Sequence, residues 1–243
     1  MANNLKRFNS EAEYQQASLN YPAVSWVVNG EVHFDKTAPA TFGGLTVKYY
    51  IENPTSNEIT LFNGGGDSSS SSESSSESGG GGGALPTTMI VDGVEETPIN
   101  TWRFETAGEH IVQYEFEDNV VPEAFMNNIG YATEIIIGDD ITRIPDETAN
   151  GRAFGSCVDL TSVAIGSGVT YIGNRAFYDC TGLTSVTVNN DGVVSQDIPT
   201  LGSNVFDNTD NCPIYVPASA VDTYKASTST GWSTYASRIE AIQ

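Results

Sequence analysis

Basic residues are scarce in this chain: ten Lys and Arg stand against 31 Asp and Glu in 243 residues, a formal net charge of −21. Nucleic acids and anionic membrane surfaces are themselves negative and would repel it, so we expect no nucleic-acid partner. No run approaches the 18 consecutive apolar residues of a membrane-spanning helix, so we expect no membrane insertion. The basic residues within 1–7 are not followed by an apolar stretch, so we also expect no secretory signal.

Cysteine and histidine are equally sparse. Three cysteines, an odd number without a secretory signal, do not indicate a disulfide framework, and no Cys-x-x-Cys pair is present. The two histidines, His33 and His110, are isolated, so we expect no metal site. Gly64–Gly66 is not followed by the Lys-Ser/Thr of a phosphate loop. We therefore expect a protein that is not an enzyme, with no catalytic residues, no cofactor and no bound metal.

A tract of glycine, serine and acids at residues 64–83 divides the chain. Its composition is typical of a flexible, solvated linker. A calcium loop is the alternative, but Asp67, Glu73 and Glu77 lack the required ligand spacing. We predict four parts in a mainly β fold: an anchor or oligomerisation domain (1–63), the linker (64–83), a small β module (84–119) and a repeat domain (120–243).

The predicted anchor begins with a helix and a hairpin. A capping box at Ser10 and Glu13 predicts a helix over residues 11–18. Apolar residues then alternate on both sides of Asn29-Gly30, the strongest short-range hairpin signal. Such a unit is too small to bury a core alone, so we expect it to dock on another surface. The contact candidates are Trp26, Val28, Val32 and Phe34.

Further hairpins are predicted on both sides of the linker. Residues 45–51 and 58–62 flank a turn-rich loop, which predicts that they pair with each other. In the β module, Asp92-Gly93 predicts a hairpin between residues 89–91 and 94–95. His110 begins a later strand, and we expect it at the rim of the module's core.

From residue 120 the chain repeats itself. Phe154 and Phe177 are 23 residues apart, as are Cys157 and Cys180 and the pairs Leu160/Leu183 and Val163/Val186. A period of 20–29 residues with one short strand per copy is typical of leucine-rich repeats. Because each copy buries little alone, the copies must stack into a solenoid. We expect the two phenylalanines to stack. A redox role for the cysteines stays open, but buried positions fit small thiols better.

Weaker copies lie on both sides of the central pair. The first aligns Ala124-Phe125 with the Ala-Phe of later copies, and the last contains Val205-Phe206. An insertion at 145–150 lengthens the second copy by five residues relative to the third. After a short helix near 217–224, Trp232, Tyr235 and Ile239 recur at helical spacing and are expected to cover the last copy.

Residues 172–188 (IGNRAFYDCTGLTSVTV) resemble the BspA-like leucine-rich repeat family. The ending CPIYVP with WSTYASR (212–217 and 232–238) is similar to its terminal unit, and segments 91–94 and 104–112 resemble the β module that often precedes such repeats. The resemblance implies adhesion and surface binding, with no catalytic residues. For the repeat surface, our candidates are Tyr171, Arg175 and Tyr178, against the alternative that they are ordinary solvated surface.

The N-terminal segment, residues 8–14 with 24–34, resembles leaders of virion proteins from crAss-like phages of Bacteroides and related hosts. This resemblance implies a head fibre or capsid decoration protein that is made in the host cytoplasm and displayed on the virion. The implied partners are capsid or other virion proteins at the N-terminus, a second copy of the chain (a dimer is preferred), and a bacterial-surface or glycan ligand at the repeats. The alternative is a bacterial cell-surface adhesin of the BspA-like type.

Overall fold

The computed structural model of the protein describes residues 26–28, 31–33, 42–54, 58–63, 85–123, 125–191 and 198–243. The predicted helix at 11–18 and the predicted linker at 64–83 lie outside these residues. The described chain is mainly β, with one short α-helix, α1 (Val221–Ala226), and a 3-10 helical segment (Trp232–Arg238). None of its described helices is long and apolar enough to cross a bilayer.

The described strands are short and follow one another along the whole described chain. In chain order they are β1 (Trp26–Val28), β2 (Glu31–His33), β3 (Leu45–Ile51), β4 (Ile59–Thr60), β5 (Thr88–Val91), β6 (Val94–Glu96), β7 (Thr101–Trp102), β8 (Gly108–Glu115), β9 (Ala132–Ile137), β10 (Arg143–Ile144), β11 (Ser162–Ile165), β12 (Tyr171–Ile172), β13 (Ser185–Val188), β14 (Thr200–Leu201), β15 (Ile214–Val216) and β16 (Ile239–Ala241).

Nine of these strands form one mixed sheet in the order β16-β15-β13-β11-β9-β3-β8-β5-β6. Strands β9, β11, β13, β15 and β16 are parallel and come from successive repeats. Ile135, Val163 and Val186 are register partners, and each is buried. Because side chains alternate along a strand, every second residue enters the core. The 23-residue spacing read from the sequence therefore places Val163 beside Val186, and a 28-residue spacing places Ile135 beside Val163.

Strand β3 lies between the β module and the first repeat. It pairs antiparallel with β8 on one side and with β9 on the other. The hairpin predicted between residues 45–51 and 58–62 is therefore wrong: β4 pairs with β7. The predicted domain boundaries stay a prediction, but the pairing places residues 45–51 of the predicted first domain inside this sheet. Burial explains this, since Leu45, Val47 and Tyr49 are fully buried there.

A β-bulge interrupts the pairing of β3 with β9. Lys48 is opposite Glu134, but the next residue, Tyr49, is opposite Ala132, which leaves Thr133 as the extra residue. The Thr133 hydroxyl donates a hydrogen bond to the Lys48 carbonyl (3.3 Å), so the irregularity is held at a defined position. Bulges of this kind bend a strand and redirect the side chains beyond them.

A second, three-stranded parallel sheet is formed by β10, β12 and β14. Polar side chains join successive repeats at both sheets. The hydroxyl of Thr161 donates to the carbonyl of Thr133, and that of Thr184 donates to the carbonyl of Thr161 (both 2.8 Å). On the other side, Thr170 bonds the Thr142 carbonyl (3.0 Å). A single threonine, such as Thr161, thus donates a hydrogen bond from its hydroxyl to the preceding repeat and accepts one at its carbonyl from the following repeat.

The predicted stacking of phenylalanines is confirmed and continues beyond the central pair. The rings of Phe154 and Phe177 are 5.1 Å apart and nearly parallel, and Phe206 follows at 5.7 Å. The predicted alignment of Phe125 with this column is wrong. The amide of Met126 bonds the Ala153 carbonyl just as the amides of Phe154 and Phe177 bond the next copy. Met126 therefore takes the phenylalanine position.

Phe125 packs outside the column, against the preceding module. Its ring stacks on Phe62 at 5.0 Å and meets Tyr114 and Phe116 edge-on at 5.3 and 5.2 Å. This aromatic cluster joins the first repeat to the module. It also accounts for the mistaken alignment, because an Ala-Phe pair in the sequence does not reveal which of two cores the ring enters.

All three cysteines are buried free thiols, as expected for packing positions. Cys157 and Cys180 take equivalent positions and donate to carbonyls of the preceding repeat, those of Met126 (2.9 Å) and Phe154 (3.2 Å). A hydrogen bond with Cys157 and burial raise the pKa of the Cys180 thiol. The Cys180 thiol is therefore held in the neutral form.

His110 is buried, so the expectation that it lies at the rim is wrong. Its Nδ1 is 2.7 Å from Asp92 Oδ2 and its Nε2 is 2.9 Å from the Thr106 carbonyl. Its ring stacks on Phe104 at 4.2 Å. The predicted hairpin at Asp92-Gly93 is confirmed: β5 pairs with β6, and both turn residues have positive φ.

Arg238 and Trp232 close the last repeat. The guanidinium of Arg238 donates to the carbonyls of Cys212 (2.8 Å) and Phe206 (3.1 Å) and to the hydroxyl of Thr209 (2.9 Å). Trp232 is fully buried, and its indole N–H donates to the Pro199 carbonyl (2.6 Å). The predicted cover is therefore confirmed for Trp232. Ile239, expected at helical spacing, begins strand β16 instead.

Candidate functional site

The three surface candidates of the repeats lie together. Tyr171 is in β12, and Arg175 and Tyr178 are in the turn that follows it. They share contacts with charged residues of the preceding repeat. We call this group the arginine–tyrosine cluster, and its members are Arg143, Asp146, Glu147, Arg152, Tyr171, Asn174, Arg175 and Tyr178.

Asp146 organises one half of the cluster. Its Oδ1 accepts hydrogen bonds from the Tyr171 hydroxyl (2.6 Å), the Asn174 amide (2.8 Å) and Asn174 Nδ2 (2.7 Å). Its Oδ2 lies 3.2 Å from Arg143. Partial burial raises the pKa of this carboxyl, but the bonds from Asn174 and Tyr171 and the charge of Arg143 outweigh it and lower the pKa. Asp146 is therefore an anion at neutral pH.

Glu147 organises the other half. Its two oxygens lie 2.6 Å from Arg175 and 3.0 Å from Arg152 Nε. The hydrogen bond from Arg175 and the charge of Arg152 lower the pKa of Glu147, despite some burial. The contact with Arg152 is an ion pair without hydrogen-bond geometry. Both acids come from the insertion at 145–150, so this loop holds the side chains of the next repeat in place.

The tyrosine rings of the cluster are largely covered by arginine. The Arg143 guanidinium lies 4.0 Å from the Tyr171 ring centre, and that of Arg152 lies 4.6 Å from Tyr178. Such cation–π contacts occupy ring faces that a ligand would otherwise use. Arg175 is the more open group, with 46% of its side chain exposed and a positive φ of 54°. In chemical terms, the cluster presents a charged, hydrogen-bonding surface.

The contact candidates of the N-terminal segment fall partly within the described residues. Trp26 and Val28 lie in β1 and Val32 lies in β2, and these strands pair antiparallel with Trp26 opposite His33. The predicted hairpin is therefore confirmed. Phe34 lies outside the described residues. Within the described strands, β1 and β2 pair only with each other.

An open depression of about 460 Å³ borders the closing unit. It is lined mainly by polar residues of the last repeat and by Tyr235 and Arg238. The hydroxyl of Tyr235 donates to Asp207 (3.0 Å), and Arg238 is engaged by backbone carbonyls. These groups are used in closing the fold. Across the described residues, no set of three or more metal-ligating side chains comes together.

Part of the chain matches a known family. Residues 147–228 match the family described as BspA type leucine rich repeat region (6 copies). The match covers about a third of the chain and contains β11 to β15, α1 and most of the arginine–tyrosine cluster. No curated protein matches the chain. This repeat type suggests an adhesion-like surface protein.

Sequence reasoning missed five members of the cluster: Arg143, Asp146, Glu147, Arg152 and Asn174. One signal was available, because Arg152 and Arg175 precede the two Ala-Phe pairs at the same 23-residue spacing. The acids lie in the insertion, which has no counterpart in the third repeat. Their position over the next repeat follows from the fold and not from any local pattern.

Proposed function

We propose that this protein is a phage virion structural protein, a head fibre or capsid decoration protein, which displays an adhesive leucine-rich-repeat solenoid. In this proposal the N-terminal segment docks on capsid or other virion proteins, the chain forms homo-oligomers with a dimer preferred, and the solenoid binds a bacterial-surface glycan or protein. The assembled protein lies on the virion surface. No catalytic step, cofactor or metal is part of the proposal.

The adhesive part is supported by the BspA-type match together with the stacked parallel strands. Stacked repeats form an extended, regular surface whose exposed residues can change without disturbing the core. The arginine–tyrosine cluster lies on this surface. Arg175 is its most open cation, so we propose it as the contacting group, while Tyr171, bonded to Asp146, positions its neighbours.

The anchoring part is supported by the separate pairing of β1 with β2 and by the resemblance of the N-terminal segment to virion leaders. A two-stranded hairpin is marginal in water and gains stability by docking. The contacts we propose are Trp26, Val28, Val32 and Phe34. A bacterial cell-surface adhesin is the alternative, and the BspA-type match fits either setting.

Mass spectrometry of purified intact phage particles tests the virion setting. We expect peptides of this chain at a fixed ratio to the major capsid protein. Particles free of it would overturn the virion setting, and finding the chain on intact bacteria that carry no prophage would favour the adhesin.

Adhesion itself is tested by incubating the full-length chain with host bacteria and measuring the bound fraction. We expect binding that falls when Arg175 is replaced (Arg175→Ala) and persists in Val94→Ala, an exposed control on edge strand β6. A wild-type chain that binds no cells would contradict the adhesive role.

A further inference from the structure

Two exposed tyrosines, Tyr50 and Tyr131, lie opposite each other just before β9 begins. The amide of Tyr50 donates a hydrogen bond to the carbonyl of Tyr131 (3.0 Å), which continues the antiparallel register one step beyond Tyr49 and Ala132. This bond makes the two residues neighbours across the two chain segments. Tyr50 is 52% exposed and Tyr131 is 53% exposed.

The rings of these two tyrosines are open, unlike those of the arginine–tyrosine cluster. Within the described chain, neither ring takes part in an aromatic or cation–π contact, whereas Tyr171 and Tyr178 are covered by arginine. Val158, 54% exposed, is next to Asp159, whose Oδ2 accepts the Tyr131 amide (2.9 Å). Two half-exposed tyrosine rings thus lie beyond the bulge at Thr133.

Tyr131 keeps an unfavourable backbone conformation at this position. Its φ is 65°, a left-handed value that is a genuine outlier for a bulky side chain and costs free energy. Hydrogen bonds at both its amide and its carbonyl hold that conformation. Glycine or asparagine would fit the backbone better. A strained aromatic residue that points into solvent contributes little to the core, which is the pattern expected of a ligand-contacting residue.

The charges around the platform limit its ligand. Glu109 is the register partner of Tyr50, Asp159 bonds the Tyr131 amide, and Glu52 is exposed two residues further on. These carboxylates repel anions and accept hydrogen bonds from hydroxyl groups. A tyrosine ring offers an apolar face and a polar tip. A neutral sugar matches this arrangement, since it has C–H groups on its ring face and hydroxyls around its rim.

We propose that Tyr50 and Tyr131 form a stacking platform for a neutral glycan. This inference rests on the proposed adhesive function and gives that function a second site and a ligand class. The platform shares no residue with the arginine–tyrosine cluster, and its chemistry differs. Its tyrosine rings are open and flanked by carboxylates, whereas arginines cover the tyrosine rings of the cluster.

Affinity electrophoresis of the full-length chain in native gels containing laminarin, yeast mannan or dextran tests the proposal. The strong negative charge of the protein ensures migration. We expect retardation by at least one of these neutral polysaccharides and none by heparin, which is anionic. Tyr50→Ala with Tyr131→Ala should weaken retention at least about tenfold, while Val94→Ala, a control of similar exposure on β6, should behave as wild type.

A second variant separates ligand binding from folding. Tyr131→Gly retains both backbone hydrogen bonds and relieves the left-handed strain, so its unfolding midpoint should equal or exceed that of wild type while retention falls. A lower midpoint would show that the ring supports the fold and would overturn the proposal. Retardation by heparin in place of the neutral polysaccharides would overturn the ligand class.

Failure of the platform can be told apart from failure of adhesion. If wild type and the double variant bind host cells equally and no neutral polysaccharide retains either, the platform is refuted and adhesion stands. If wild type binds neither cells nor polysaccharides, the adhesive function itself is refuted.

Discussion

Replacing Asp146 with asparagine tests how far the insertion stabilises the repeats. The carboxylate accepts three hydrogen bonds at Oδ1 and lies beside Arg143. Asparagine keeps the shape and removes the charge. Hydrogen bonds to a charged group contribute about 1.5–3 kcal/mol each, against about 0.5–1.5 kcal/mol for neutral ones. Because the three bonds share one oxygen and 35% of the side chain is exposed, we expect Asp146→Asn to lower the free energy of unfolding by about 1–2 kcal/mol.

The pH dependence of this loss has a definite sign. Folding lowers the pKa of Asp146, so the charged carboxylate contributes its full stability above its unfolded pKa of about 3.9. That contribution disappears as the pH falls through the folded pKa. The gap between wild type and Asp146→Asn should therefore be constant from about pH 6 to 8 and shrink below about pH 4.

Urea denaturation of the full chain at pH 7, 5 and 3, followed by circular dichroism, measures this gap. Asp118→Asn is the matched control, since Asp118 is exposed and makes no side-chain hydrogen bond within the described chain. The reasoning would be refuted by an Asp146→Asn stability within about 0.5 kcal/mol of wild type at pH 7, the range of ordinary surface substitutions. It would also be refuted by a gap that is unchanged in acid.

Three further predictions concern the core and the closing unit. Phe177→Ala removes the middle ring of the column and should cost about 3–5 kcal/mol in urea denaturation; a loss below about 1 kcal/mol would contradict the stacking. Arg238→Lys keeps the charge but not the fork of donors, so it should cost about 1–3 kcal/mol and speed amide exchange in the last repeat; unchanged exchange would contradict the closing role. Because Cys157 and Cys180 are buried and bonded, a thiol reagent should label neither in the native protein and both in guanidinium; rapid native labelling would show that the repeats open.

The sequence was most informative where structure is periodic. Spacing alone aligned Phe154 with Phe177, and the rings stack. The sequence was least informative about which strands pair when they are far apart along the chain. Residues 45–51 precede a turn-rich loop, yet β3 pairs with β8 and β9, because burial of its apolar face outweighs the local turn signal. Strand pairing between distant segments has no local signature.

The same contrast separates the two candidate sites: the repeat cluster could be approached from the sequence, and the tyrosine platform could not. Arg175 and Tyr178 could be proposed from the sequence because they lie in a repeat turn, and Tyr171 because it lies in the short strand before that turn. Tyr50 and Tyr131 were missed, because their proximity depends on a bulge and on a left-handed tyrosine that no propensity favours. Sequence patterns identify residues at repeated positions, whereas this platform lies next to a bulge that interrupts the regular strand pairing.

The threonine bonds between copies bear on how the chain can evolve. Thr161 donates upward to one neighbour and accepts from Thr184 below, so each unit has matching upper and lower surfaces. Duplicating or deleting one whole unit by unequal recombination would leave these bonds complete. The ends cannot be exchanged in this way, since β3 pairs with the strand of the first repeat and Arg238 bonds the last repeat. The length of the repeat stack can thus change by one unit at a time while both ends stay the same. A cluster that spans two units, such as that of Asp146 and Tyr171, is lost when a copy is inserted between them.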